Sequence, residues 1–200
     1  MKQLLVATGN PGKVKEFAEL LTDLDVEWLG QNDTGYDLDV DETGSTFTEN
    51  AILKATQWAN LTGHYTLADD SGLEVDALNG EPGLYTARYG GAGLTHEERY
   101  LFLLENIKSV TDETLRTARF RCVIAMADGD GNVIQTAEGS CPGRIAFAPQ
   151  GEHGFGYDPI FIPDGQGGRT MAQLLPEEKH PISHRGLAIE ALKPFLTSFF

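Results

Sequence analysis

An α/β fold with a mixed sheet is predicted by three features of the sequence. Strand-like and helix-like stretches alternate through the first half. Two Ser/Thr-type capping boxes mark helix starts. A meander of strand-like runs, turned by the glycine-rich stretch DGDGN, fills the second half. Alternation early and a meander late mean parallel pairing followed by hairpins. No linker long enough to separate domains interrupts the 200 residues, so 1–200 reads as one domain.

Residues 3–8 read as the first strand. Apolar Val14, Phe17, Ala18 and Leu21 then recur at the helix period. The turn between them, Thr8-Gly9-Asn10-Pro11-Gly12-Lys13, places the free N–H groups of a helix start where a phosphate could bind. It is not a P-loop: Ala7 stands where the first glycine belongs and Val14 where Ser or Thr belongs. Thr46-Phe-Thr-Glu49 is a capping box and opens a helix through NAILKATQWANLT, which Gly63 closes. YTLA (65–68) is a short strand that delivers Asp69-Asp70-Ser71-Gly72 as a loop, and LEVDAL is a separate alternating run ending at Asn79-Gly80.

Thr95 to Glu98 is the second box, with a helix to about Ile107. In TARFRCVIAMA, Ala118, Phe120, Cys122, Ile124 and Met126 share one strand face, and Arg119 and Arg121 the other. DGDGN turns this strand into VIQTAEG. RIAFA and DPIFI are two further runs, separated by PQGEHGFGY. Ser183 to Phe200 is an amphipathic helix, with Ser183 as its cap and Pro194 as a point where it kinks or divides.

The net charge is −15. That excludes a duplex nucleic-acid binder, which carries a basic face, but not a small anion held by a few converging cations. No apolar run approaches the ~20 residues of a membrane span. The N-terminus has no apolar signal core, and two cysteines make no disulfide framework, so a reducing cytoplasm is expected.

Four groups of residues could carry chemistry. Adjacent carboxylates at Asp69-Asp70-Ser71 invite Mg²⁺, although Asp, Ser and Gly also build plain solvated turns. Asp39, Asp41 and Glu42 precede a helix start, where acids equally suit the helix dipole. Phe155 or Tyr157 in HGFGYDP could stack on a base or pack in the core. Lys179, His184 and Arg185 lie near a helix start, where cations imply an anionic or acceptor-rich ligand or a solvated surface. DGDGN lacks the glycine and glutamate of a calcium loop, and no histidine or cysteine spacing suits zinc.

Together these motifs resemble the non-standard purine nucleoside triphosphate pyrophosphatases, the Ham1-like or RdgB-like inosine triphosphatase family. The resemblance runs through TGNPGK (8–13), DETGSTFTENAILKA (41–55), ADDSGLEVDALNGEPGLYTARY (68–89), GFGYDPIF (154–161) and EEKHPISHRG (177–186). It implies a homodimer whose subunits have a long mixed sheet flanked by helices and two lobes around a nucleotide-binding cleft. It implies Mg²⁺-dependent hydrolysis of ITP, dITP and XTP to the monophosphate and pyrophosphate, which keeps aberrant purines out of nucleic acids. Thr8 to Lys13, with Gly9, Asn10, Pro11 and Gly12 between, match the triphosphate-binding turn, and Lys54 matches a lysine facing the phosphates. Asp70 matches the base and metal ligand, with Asp41 or Glu42 as the second ligand. Ser71, Phe155, Gly156, Tyr157, Asp158, Lys179, His184 and Arg185 match the remaining nucleotide contacts.

Physical reasoning extends this. Arg185 only donates hydrogen bonds, so it suits the O6 acceptor of hypoxanthine or xanthine and not the amino group of adenine. Two rivals stand beside this reading. A Maf-like pyrophosphatase would open with Ser-x-Ser-Pro-Arg-Arg, which is absent here. A non-catalytic nucleotide sensor would not need the carboxylate cluster.

Overall fold

The computed structural model describes residues 2–9 and 11–200. The described chain forms β1 (Lys2–Val6), α1 (Pro11–Leu20), β2 (Val26–Gly30), α2 (Phe47–Thr62), β3 (Tyr65–Val75) and α3 (His96–Asn106). β4 (Thr117–Ala127), β5 (Val133–Ile145), β6 (Phe161–Pro163), α4 (Pro176–Lys179) and α5 (His184–Phe199) follow. One six-stranded sheet has the order β2-β1-β3-β4-β5-β6. β1 pairs in parallel with both β2 and β3, and β5 pairs antiparallel with β6. The sheet is therefore mixed and flanked by helices, as expected.

The chain contacts define two compact units. The first comprises residues 1–70, 122–139 and 185–200, and the second 71–121 and 140–184. Each has its own apolar core. In the first, Leu4, Val6 and Leu67 pack with Phe17 and Leu21 of α1, Cys122, Ile124 and Met126 of β4, and Ile189 and Leu192 of α5. In the second, Leu73 and Val75 pack with Leu103, Phe120, Ile145, Tyr157 and Phe161. The alternating residues of β4 are buried as their two-residue period requires.

Both capping sequences start helices, the first with the Glu49 carboxylate bonded to Ser45. Thr46 accepts from the Glu49 amide, and Gly63 ends α2 at φ 74°, the left-handed conformation that costs glycine least. Thr95 and Glu98 exchange both bonds of the box. Pro194 lies inside α5, which continues past it.

Two expectations are corrected. The stretch Asp69 to Gly72 is not a loop: β3 runs unbroken from Tyr65 to Val75 and joins YTLA to LEV. Polar residues read as a turn because Asp, Ser and Gly form turns locally. In this strand the carboxylates of Asp69 and Asp70 are held by half-buried lysines and an amide instead. RIAFA is likewise no separate run, because β5 continues through Cys141 and Gly143 to Ile145. Gly143 sits there because a Cβ would come within 2.2 Å of the Ile162 carbonyl on β6.

Candidate active site

The site in the first unit is built from the end of β1, side chains of α1, α2 and α5, and the middle of β3. After β1, the Ala7 amide donates to the Leu67 carbonyl (2.7 Å), so the segment stays beside β3 before it turns into α1. Pro11 opens α1, where its missing N–H costs nothing. Lys13 follows in the first turn and reaches Asp69, with Nζ 2.9 and 3.0 Å from the two carboxylate oxygens. Glu16, one turn on, accepts from Arg185 Nη1 at 2.7 Å. Arg185 also donates to Asp69 from Nη2 (3.2 Å) and Nε (3.4 Å). Asp69 is thus a buried anion between two cations.

Successive residues of a strand face opposite ways. Asp70 accordingly meets a different set. Lys54 of α2 donates to Asp70 Oδ1 (3.1 Å) and to Glu42 Oε1 (2.7 Å). Asn50, one turn earlier on α2, donates to Asp70 Oδ2 (3.2 Å). A pocket of about 320 Å³ opens here, lined by Thr8, Gly9, Lys13, Glu42, Lys54 and Asp69 among others. That volume lies at the small end of ligand sites.

The two carboxylates differ electrostatically. Burial would raise Asp69, but Lys13, Arg185 and Lys54 together drive it far below the usual carboxylate range. Burial dominates at Asp70: its pKa is raised, with Glu42 adding to the rise and Lys54 and Asn50 opposing it. Burial would lower Lys54, but the charges of Asp70, Asp69 and Glu42 outweigh that and hold its ammonium firmly protonated.

The second unit assembles the GFGYDP loop. Asp158 is buried and accepts from the Phe155 amide (2.9 Å) and from Lys179 Nζ (2.6 Å). Gly154, at φ 77°, lets the loop close, since a Cβ there would lie 2.0 Å from Asp158 Oδ2. Phe155 is 44% exposed, with Lys179 Nζ 5.4 Å from its ring centre. Tyr157 is 3% exposed and donates to the Thr86 carbonyl (3.0 Å), so it belongs to the core. His184 stacks on Phe120, with ring centres 4.7 Å apart and planes 13° from parallel.

A family model described as Ham1 family matches residues 4–195 of this chain. The chain belongs to the Ham1 family. It is 48% identical over 193 residues to the dITP/XTP pyrophosphatase of Shigella flexneri, covering 96% of each chain. It is 47% identical over 197 residues to the dITP/XTP pyrophosphatase of an Exiguobacterium species, covering 98% of each. Its structure is similar to that of a HAM1 protein from Coxiella burnetii, with TM-score 0.90 and 43% identity, over 99% of this chain and 100% of that one.

Within this Ham1 fold the residues singled out in the sequence fall into two sets. Thr8, Gly9, Lys13, Lys54, Glu42 and Asp70 belong to the first unit, as does Arg185. Ser71, Phe155 to Asp158, Lys179 and His184 belong to the second. Asn10 lies outside the described residues. Of the two acids offered as partners for Asp70, Glu42 shares Lys54 with it, whereas the Asp41 side chain is exposed. Of the two aromatics, Phe155 presents an open ring and Tyr157 does not.

Glu16 and Asn50 were missed by sequence reasoning, and Asp69, offered there as a magnesium ligand, is instead the partner of Lys13 and Arg185. Glu16 and Asp69 frame Arg185 and Lys13, and Asn50 holds Asp70. Glu16 lies at the helical spacing of three from Lys13, a signal that could have found it. Nothing local marks Asn50 as different from any other residue in the first turn of a helix.

Proposed function

We infer that this chain hydrolyses non-standard purine nucleoside triphosphates, dITP, XTP and ITP, to the monophosphate and pyrophosphate. The observation that carries this is full-length kinship with proteins named for that activity. Lys13, Lys54 and Glu42 line one pocket, and Lys54 ties Asp70 to it, a set of groups whose chemistry suits that reaction.

Magnesium fits the residues present. Glu42 and Asp70 both reach the same Lys54 ammonium, so their hard oxygen donors converge on one point. Among the described residues no group of three or more His, Cys, Asp or Glu converges in that way. Two carboxylates, with water and substrate phosphate completing the shell, is the habit of Mg²⁺. When bound, the ion supplies charge neutralisation on the phosphates.

The chain's own groups do the rest. Lys13 and the Thr8–Gly9 backbone hold the triphosphate, and Lys54 meets charge on the leaving pyrophosphate. Asp70 accepts the proton of the attacking water, a role its raised pKa suits. Phe155 stacks on the base, Asp158 and Lys179 brace that loop, and Arg185 donates to O6. Ser71 and His184 complete the nucleotide contacts. The same family resemblance supports a homodimer. Cys122 and Cys141, both buried thiols, suit a cytoplasmic setting. No described helix is long and apolar enough to cross a membrane.

The test is kcat/KM for ITP, dITP, XTP, GTP and ATP with Mg²⁺. The reading predicts ITP, dITP and XTP well above GTP and ATP. Equal values across the five would remove the assignment.

A further inference from the structure

We propose that Asn50 is a positioning residue, which fixes the Asp70 carboxylate and the segment carrying Glu42 in one arrangement. This rests on the reading of Asp70 as the base. Asn50 and Lys54 are four residues apart on α2 and therefore share a helix face. Asn50 is 2% exposed. Its Nδ2 donates to Asp70 Oδ2 (3.2 Å), and its Oδ1 accepts from the Gly44 amide (2.8 Å).

The amide has only one possible orientation. A backbone N–H can only donate, so the oxygen must face Gly44 and the NH₂ must face Asp70. Lys54 holds the other oxygen of Asp70 at 3.1 Å. Two donors from one helix face thus grip the two carboxylate oxygens, which fixes the plane of the carboxylate. The second lone pair of each oxygen stays in place for water or metal.

The same side chain reaches the acidic segment. Gly44 follows Glu42 by two residues, and its amide is the group Asn50 receives. The approach is close: a Cβ on Gly44 would lie 2.5 Å from Asn50 Oδ1 and 2.7 Å from the Glu49 Cβ. Glycine is required there so that the segment can sit against Asn50. Glu42 and Asp70 are therefore registered to each other by Asn50 and by Lys54, both from α2.

Holding Gly44 needs only the acceptor. Orienting Asp70 needs the donor. Asn50→Asp keeps the acceptor at the same size and replaces the donor by a carboxyl oxygen, so the two roles separate. The experiment measures kcat and KM for ITP, with thermal melts, in the full chain carrying Asn50→Ala or Asn50→Asp. Both variants should lose about tenfold to a hundredfold in kcat, the usual effect of removing a group that orients a reacting or ligating residue. KM should change little, since Asn50 touches no substrate. Wild-type kcat in Asn50→Asp beside a slow Asn50→Ala would make Asn50 a purely structural acceptor and overturn the proposal. Wild-type kcat in both would overturn it too. Should Asn50→Asp not fold, Asn50→Ala decides on kinetics and melts together: a loss in kcat with KM kept and a melting temperature near wild type supports the proposal, and a loss carried by KM, or one that tracks a large fall in melting temperature, overturns it. Asp70→Asn run alongside separates the two failures. If that variant is inactive while the Asn50 variants match wild type, only this inference falls; if it turns over normally, the reading of the site falls.

Discussion

Asp69 and Asp70 are consecutive residues of β3 whose carboxylates answer to opposite partners. Asp69 binds Lys13 of α1 and Arg185 of α5, and Asp70 binds Lys54 and Asn50 of α2. The strand's two-residue period makes this division. It gives one carboxylate a setting that favours its charge and the other a setting in which burial disfavours it.

The two asparagine variants should therefore behave differently. Asp69→Asn leaves the cations of Lys13 and Arg185 without the fully buried anion between them. It should cost about 3 kcal/mol or more of stability. Asp70→Asn relieves a carboxylate that burial already disfavours, and Lys54 keeps Glu42. Its stability should stay within ~1 kcal/mol of wild type or rise, while kcat falls about a hundredfold or more. Urea melts and ITP turnover on both variants check this. Equal destabilisation, or near-normal kcat in Asp70→Asn, would contradict the division.

Lys13 lines the pocket and is 20% exposed, so it can turn from Asp69 toward a phosphate. Every substrate shares the phosphates. Lys13→Ala should therefore weaken KM for all triphosphates in parallel, whatever the base. A loss confined to ITP, with dATP and GTP unchanged, would show that Lys13 is no phosphate ligand.

The helices of this fold were legible because their signals are local. Capping sequences at Thr46 and Thr95 and the apolar period of Val14 to Leu21 depend on near neighbours alone. β3 was misread in its middle for the opposite reason. Asp69, Asp70 and Ser71 look like a turn until α1, α2 and α5 bring cations and an amide to the carboxylates, over separations of 16 to 116 residues. The same holds for the site. Lys13, Lys54 and Asp70 were found by motif, but Glu16 and Asn50 act through partners 169 and 20 residues away. The choice of Phe155 over Tyr157 rested on which ring the core covers, and a glycine-rich loop does not announce that.

Arg185 tests base reading. Its guanidinium is buried and braced by Glu16 and Asp69, a setting that fixes where its donors lie. If it donates to O6, Arg185→Ala should cost ~1–3 kcal/mol in kcat/KM for ITP and XTP. ATP, which lacks that acceptor, should change little. The measurement is kcat/KM for ITP, XTP, GTP and ATP in both proteins. A uniform fall, with the ITP-to-ATP ratio unmoved, would assign Arg185 to the scaffold of Lys13 and Asp69.

Which bond of the triphosphate breaks is the central question for this enzyme. Purified protein with ITP and Mg²⁺, its products separated by anion exchange and assayed for pyrophosphate, answers it directly. Attack as described above predicts IMP and pyrophosphate in equal amounts, with no IDP at any time. Release of orthophosphate with IDP, or ITP left intact, would contradict it.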